Sequence, residues 1–460
     1  MHRLKVFASL LALALLVPAG AFAQVDTGDA DFSRYVALGD SLTAGFASAA
    51  LVETFQRNSY PALIERQATG SNAGFEQPLV SAPGLGGTPG AGILVLRSLV
   101  PNLSITPELG QAQPLNLLLP RPYDNLAVPG ADVNDLVATT SGGFHDLILR
   151  PRPGQAFTQL QQGLSLQPTF VTLWIGNNDA LGAATSGRVI EGVTLTRLAD
   201  FERDYRAAAN AIAATGAEMA IANIPDVTTI PFVTTVGRTV TGPNGQQIPL
   251  IGPNGQPVAA GEFVLLTAQA EIAQGRGLPI PGSPPLSDAV VLSADEVATI
   301  RARVDAFNAI IRAVADEKNA AFVDINAVLR RAATTGIQVG GVTFSSAFLT
   351  GGIFSYDGVH PTAFGQAYIA NLFLDAINEE FDAEIPLVNL RPFMFGGAAA
   401  TSSVVAGLDG KSGDDESAIV FSREAGRSLL RALGVPQWVS DGAEKPPVKP
   451  NRPRRRNGRR

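Results

Sequence analysis

The 460-residue sequence contains no cysteine, only three histidines and two tryptophans. Without cysteine there is no disulfide, no thiolate metal site, no cysteine nucleophile and no lipidated cysteine. Long apolar runs are equally scarce. The exception is Val6 to Val17, which follows the basic start Met1-His2-Arg3-Leu4-Lys5 and precedes Pro18-Ala19-Gly20-Ala21-Phe22-Ala23-Gln24. That order, basic then apolar then small, reads as a secretory signal peptide over residues 1–23, cut after Ala23. The run is shorter than the roughly 20 residues of a spanning helix and is broken by Pro18, so a retained anchor is disfavoured. Export is expected, to the periplasm, the outer membrane or the medium. His2 would leave with this peptide, so His145 and His360 remain. With two histidines, no cysteine and no His-Glu-x-x-His, zinc chemistry lacks its ligands, and neither a metal nor an organic cofactor is expected.

Other signatures are missing too. No Gly-x-Ser-x-Gly pentapeptide occurs, which argues against a nucleophile elbow. Gly410-Lys411-Ser412 has Val405 where a phosphate loop needs its first glycine. The net charge is −7, and it is unevenly spread. Residues 441–460 carry eight basic side chains against Asp441 and Glu444, and Arg3 and Lys5 add two more positive charges at the start, so the body lies near roughly −15, which disfavours nucleic acid as a partner. The tail, rich in proline and charge, reads as disordered, with contact to anionic envelope surfaces as its one functional option.

What is present is an alternation of short β-rich runs with helical periodicity, the pattern of a parallel sheet covered on both faces. Five strands are expected: Tyr35 to Leu38, Asn125 to Val128, Thr169 to Ile175, Glu218 to Ile224 and Ala321 to Ile325. Between them, Ser293-Ala294-Asp295-Glu296 is a capping box ahead of the stripe Val297, Ile300, Val304, Phe307, Ile311 and Val314. A second helix is expected from about Arg197 to Ala214 and a third after Thr362 as N-cap. Two stretches interrupt the alternation. Residues 70–122 are rich in Gly, Pro and Leu, and residues 226–292 hold the near repeat Gly242-Pro243-Asn244-Gly245-Gln246 and Gly252-Pro253-Asn254-Gly255-Gln256, read as paired turns of a hairpin. Both are expected to be ordered insertions that line or cover a site. Residues 396–440 show no regular period.

The chemistry-bearing residues follow these strands. Ser41, in Gly39-Asp40-Ser41-Leu42, sits at the mouth of the first strand and is the candidate nucleophile. A hydroxyl needs a base at neutral pH, and a neutral imidazole suits that task. His360 has Asp357 three positions before it, the spacing at which a carboxylate can hold the imidazole Nδ1 hydrogen. His145 has no such partner and is read as surface. Donors for a tetrahedral oxyanion are available from the Ser41 and Gly130 backbone N–H groups and the Asn178 amide. All three would lie beyond carboxyl ends of strands, where open α/β sheets place ligands. Asp40 and Asp179 are read as structural.

In these four blocks, Gly39-Asp40-Ser41-Leu42, Gly130, Gly176-Asn177-Asn178-Asp179 and Asp357-Gly358-Val359-His360-Pro361, the chain resembles the SGNH hydrolases, the GDSL lipase and esterase family. The resemblance implies a three-layer α/β/α fold with a five-stranded parallel flavodoxin-like sheet. It also implies Ser41 as nucleophile, His360 as base, Asp357 as orienting acid, and an oxyanion hole of Ser41, Gly130 and Asn178. The hydrolase domain is expected over residues 31–395 with insertions at 70–122 and 226–292, then an extension at 396–440 and the basic tail at 441–460. The expected function is that of an exported serine ester hydrolase on lipid-like esters. Leu117-Leu118-Leu119 and Phe263-Val264-Leu265-Leu266 hint at a long acyl group. The alternatives are a glycan O-acetyl esterase and a non-catalytic envelope binding module.

Overall fold

The computed structural model describes residues 25–98, 104–394 and 420–441. The proposed signal peptide, Gly410-Lys411-Ser412 and the tail beyond Asp441 lie outside the described residues. The central sheet has four parallel strands in sequence order, β1 (Tyr35–Gly39), β2 (Phe170–Trp174), β3 (Glu218–Ala222) and β4 (Ala321–Val323). Tyr35 pairs with Phe170 and Gly39 with Trp174, so β1 and β2 end level with each other.

The expected fifth strand is a correction. Residues 125–128 run along the free edge of β1, where Leu126 donates its N–H to the Ala37 carbonyl and Val128 to the Gly39 carbonyl, but the pairing amounts to the single parallel bridge between Ala37 and Asn125 and not to a strand of the sheet. The Asn125 Oδ1 accepts the Ala127 N–H, which alternates away from β1, and after Pro129 the positive φ of Gly130, 84°, turns the chain out of the extended conformation, so the pairing stops at Val128. Its position still gives the flavodoxin-like order, with residues 125–128 outside β1.

Alternation along the strands divides the interior into two layers. Val36, Leu38, Val171, Leu173, Met219 and Ile221 face one core, and Tyr35, Ala37, Phe170, Trp174, Ala220 and Ala222 face the other. Eight helices matter to the site: α1 (Ser41–Ala44), α2 (Tyr60–Thr69), α3 (Gln159–Ser165), α4 (Asn178–Ser186), α5 (Leu198–Ala213), α6 (Ala294–Lys318), α7 (Ala363–Glu380) and α8 (Arg423–Ala432). Helices α5 and α6 bury Phe201, Tyr205, Val304 and Phe307 in the first core, whereas α2 and α7 bury Tyr60, Leu63, Phe373 and Ile377 in the second. This is the three-layer α/β/α arrangement. The α6 capping box forms as read: the Ser293 side chain accepts from the Glu296 N–H, and the Glu296 carboxylate accepts from the Ser293 N–H.

Below the site, Tyr60 stacks on Phe373 with centroids 4.6 Å apart and meets Trp174 edge-on at 5.7 Å. Burying each such ring stabilises the fold by about 1.5–3 kcal/mol. Trp174 also donates its indole N–H to the Asn223 carbonyl at 3.1 Å. The middle of α7 therefore packs on this aromatic layer, and nearer its start the Gln366 side chain accepts the Tyr60 N–H and donates to the Leu42 carbonyl, both at 2.9 Å.

The two interrupting stretches contain secondary structure of their own. In the first, Ala91–Ser98 and Ser104–Leu109 pair antiparallel. In the second, each half of the near repeat closes a turn in the same way: Gly242 N–H donates to Gln246 O and Gly252 N–H to Gln256 O, both at 2.8 Å. The first turn joins the strands Thr239–Thr241 and Gln247–Pro249, and the second is closed by the single bridge Ile251 to Pro257. Leu250, Val258, Val264, Leu286 and Val291 give this stretch a small core of its own.

Candidate active site

Ser41 is the first residue of α1, directly after the end of β1. Its predecessor Asp40 is the N-cap and accepts the Leu42 N–H at 3.0 Å, which starts the helix at the serine. Asn178 opens α4 beyond the end of β2, and His360 sits three residues before α7, whose N-cap Thr362 accepts from the Gly365 N–H. Three segments distant in sequence therefore meet at one sheet edge.

There the His360 Nε2 lies 2.9 Å from the Ser41 Oγ across 319 positions of chain. On its other side the His360 Nδ1 is 2.8 Å from the Asp357 Oδ2. Ser41 is 3% exposed, and Asp357 and His360 are fully buried. The Asp357 carboxylate collects further donors. Its Oδ1 accepts the Val359 and His360 N–H groups at 2.9 and 2.8 Å and the Ser355 hydroxyl at 3.2 Å, and its Oδ2 accepts the Ala49 N–H at 2.8 Å. Burial alone would raise this carboxyl, but the adjacent His360 ring and the amide hydrogen bonds outweigh it and hold Asp357 below the ordinary carboxylate range. Ser355 in turn accepts the Ser48 N–H at 2.8 Å, so its single hydrogen is left for Asp357.

Ser48 and Ala49 have φ of 49° and 60°, a left-handed conformation that costs a non-glycine residue roughly 1–2 kcal/mol. The cost is met where both amides point at the acid loop, so backbone strain here serves the position of Asp357. Phe46, fully buried, lays its ring 4.8 Å from the His360 ring and closes off that side.

Two of the three expected oxyanion donors are close in the chain path, since Asn178 bonds to the carbonyl of Ala131, the neighbour of Gly130. Among the described residues, the Ser41 and Gly130 backbone N–H groups donate to no protein acceptor. Asn178 gives one Nδ2 hydrogen to the Ala131 carbonyl at 2.9 Å. That carbonyl fixes the amide, because the flipped orientation would set oxygen against oxygen, and the second Nδ2 hydrogen remains for a ligand. Gly130 has φ +84°, and a Cβ on it would stand 2.5 Å from the Ala432 carbonyl oxygen, so only glycine fits.

Carboxylates read as structural tie the blocks together. The Asp40 Oδ2 accepts the Asn177 Nδ2 at 2.8 Å, joining the serine block to the asparagine block. The Asp179 Oδ2 accepts the Val133 N–H at 3.0 Å, joining the asparagine block to the segment after Gly130. Burial pushes Asp40 up to about 6 despite its hydrogen bonds to Asn177 and Leu42. Burial and the neighbouring Asp132 carboxyl hold Asp179 well above the ordinary range. Sequence reasoning missed Ser48, Ala49, Ser355 and Asn177. Only Asn177 carried a signal, as the doublet of Asn178. The expectation for His145 is corrected: it is buried on the helix Phe144–Leu149, because Phe144 turns that helix inward against Phe46.

The family profile described as GDSL-like Lipase/Acylhydrolase matches residues 35–373. The chain belongs to this family. As a member it is a carboxylic ester hydrolase, and the match spans all four blocks and both insertions. None of the curated proteins matches the sequence. Among solved structures, the chain is similar to LAE5, an alpha/beta hydrolase enzyme from the metagenome of Lake Arreo, Spain, at 15% identity and a TM-score of 0.33 over 76% of this chain and 96% of that one. It is similar to Axe2, an acetylxylan esterase from Geobacillus stearothermophilus, at 15% identity and a TM-score of 0.34 over 76% and 96%. A third, described as a GDSL-like lipase from Parabacteroides merdae, shares 15% identity with a TM-score of 0.33 over 75% and 96%.

Proposed function

We propose that this hydrolase works through an acyl-enzyme on Ser41. The observation that carries the reading is the unbroken hydrogen-bonded row from Ser41 Oγ through His360 to Asp357, at 2.9 and 2.8 Å. In this reading the His360 Nε2 takes the Ser41 proton as Oγ attacks the ester carbonyl, and Asp357 stabilises the imidazolium that forms. The tetrahedral oxyanion is held by the Ser41 and Gly130 N–H groups and the Asn178 Nδ2. The imidazolium gives its proton to the leaving alcohol, and water, deprotonated by the same nitrogen, releases the acid and frees Ser41. No step calls for a metal or an organic cofactor.

For the substrate we propose a lipid-like ester. Supporting this, the first insertion exposes Leu109, Leu115, Leu117 and Leu118 by 78, 49, 45 and 93%, an apolar surface suited to lipid. The other leucine run gives no such support, since Leu265 and Leu266 are fully buried against the body. A second reading, glycan O-acetyl ester cleavage, is favoured by the 3% exposure of Ser41, which suits a short acyl group. A series of p-nitrophenyl esters from acetyl to palmitoyl separates them. Turnover rising towards long chains supports the lipid reading, turnover confined to acetyl supports the glycan reading, and equal negligible turnover in wild type and Ser41→Ala leaves only a binding module. Export remains part of the proposal: N-terminal sequencing of the mature protein should begin at Gln24, and a retained Met1 would refute it.

A further inference from the structure

The segment after the family match, residues 420–441, sits on the oxyanion side of the site. Val420 and Phe421 add a parallel strand to Ser104–Leu109 in the first insertion. Phe421 is fully buried, donates its N–H to the Gln269 Oε1 at 2.8 Å and meets the Phe232 ring edge-on, both in the second insertion. Helix α8 then crosses between the two insertions. Gly426 faces Thr267 on one side, while Gly87 packs so closely under Ser428 that a Cβ there would stand 2.1 Å from its carbonyl oxygen. The end of α8 brings the Ala432 carbonyl and Gly434 onto Gly130, and the helix also packs against α4, which begins with Asn178. Ala425, Leu429, Leu433 and Val439 join the main core, so the contact is apolar as well as close. The three parts of the chain beyond the compact fold thus meet one another, and the end of α8 reaches Gly130, one of the three proposed oxyanion donors.

We propose that the two insertions and residues 420–441 form one cap over the oxyanion side, in which α8 is the piece that selects the acyl group by moving aside for long chains. This rests on the ester hydrolase reading of Ser41. It reconciles a lipid-like substrate with a nucleophile only 3% exposed: an acetyl ester enters past the docked helix, and a long acyl chain requires α8 to leave Gly130.

The absence of cysteine gives a clean test. A Cβ on Gly426 would lie 3.9 Å from the Thr267 Cβ, within the roughly 3.5–4.5 Å a disulfide spans. The full chain carrying Thr267→Cys and Gly426→Cys would have these as its only thiols. Oxidation is expected to lower palmitoyl ester turnover about tenfold or more, reversibly with dithiothreitol, while acetyl ester turnover stays within about twofold. Because each rate is read against the same protein reduced, a folding defect common to both forms cancels. Loosening the helix by Leu429→Ala should raise the palmitoyl-to-acetyl ratio. Unchanged palmitoyl turnover in the crosslinked form, equal losses for both esters, or failure of the thiols to pair would each overturn the proposal. A wild-type protein that hydrolyses neither ester would instead remove the hydrolase reading on which the cap depends.

Discussion

In the proposed mechanism, replacing Asn178 by alanine removes the one side-chain donor to the oxyanion and leaves the Ser41 and Gly130 amides in place. The Asn178 Nδ2 is held by the Ala131 carbonyl at 2.9 Å, so the amide is already fixed before substrate arrives, with its second hydrogen left as the proposed donor. Loss of one preorganised donor typically costs about 10²- to 10³-fold in kcat, or about 2.7–4 kcal/mol, and with two donors remaining the lower end is expected. KM should change little, because the charge this donor stabilises exists only in the transition state. The Ala131 carbonyl also loses its partner, which should lower stability by about 1–3 kcal/mol, so rates belong at a temperature well below the melting point. Asn178→Asp should lose more than Asn178→Ala, since a carboxylate would face both the Ala131 oxygen and the developing oxyanion. The assay is steady-state hydrolysis of p-nitrophenyl acetate. A kcat within about threefold of wild type would take Asn178 out of the mechanism, and a raised KM at constant kcat would make it a ground-state contact.

Ser355→Ala should lower kcat about tenfold with KM nearly constant, because Asp357 loses a hydroxyl donor while the buried Ser48 N–H loses its acceptor. Ser355→Thr, which keeps the hydroxyl, should recover most of the rate, and equal defects in both variants would refute the hydroxyl's role. For Asp40, folding favours the neutral acid: its pKa of about 6 against the ordinary 3.8 corresponds to on the order of 3 kcal/mol, lost progressively as pH rises from about 4 to about 6. Asp357 acts in the opposite sense, contributing stability that is lost only as pH falls below the ordinary carboxylate range. The stability of Asp40→Asn relative to wild type, from urea unfolding, should therefore increase between pH 4 and 7; a constant difference would refute the buried-charge account.

The four site blocks were legible because each combines a turn residue with a chemical group directly after a strand, and strands of alternating or continuous apolar residues are easy to see. The same pattern overcalled residues 125–128: Leu126, Ala127 and Val128 are all buried, yet Gly130 at φ +84° turns the chain away after a single bridge, and hydrophobicity alone carries no trace of that turn. Ala49 was invisible for a different reason, since it contributes a backbone amide and its left-handed φ is imposed by the fold. His145 looked like a surface residue between glycines and Asp146, and its burial depends on the Phe144 to Phe46 contact, made across nearly a hundred positions. The placement of residues 420–441 was hidden because their partners come from both insertions, and no local period reports a contact of that kind.

Covalent trapping decides whether Ser41 forms the acyl-enzyme. After treatment with a fluorophosphonate probe, peptide mass spectrometry should place a single adduct on Ser41, with labelling and ester hydrolysis both lost in Ser41→Ala. An adduct on another serine, or hydrolysis that survives in Ser41→Ala, would contradict the account.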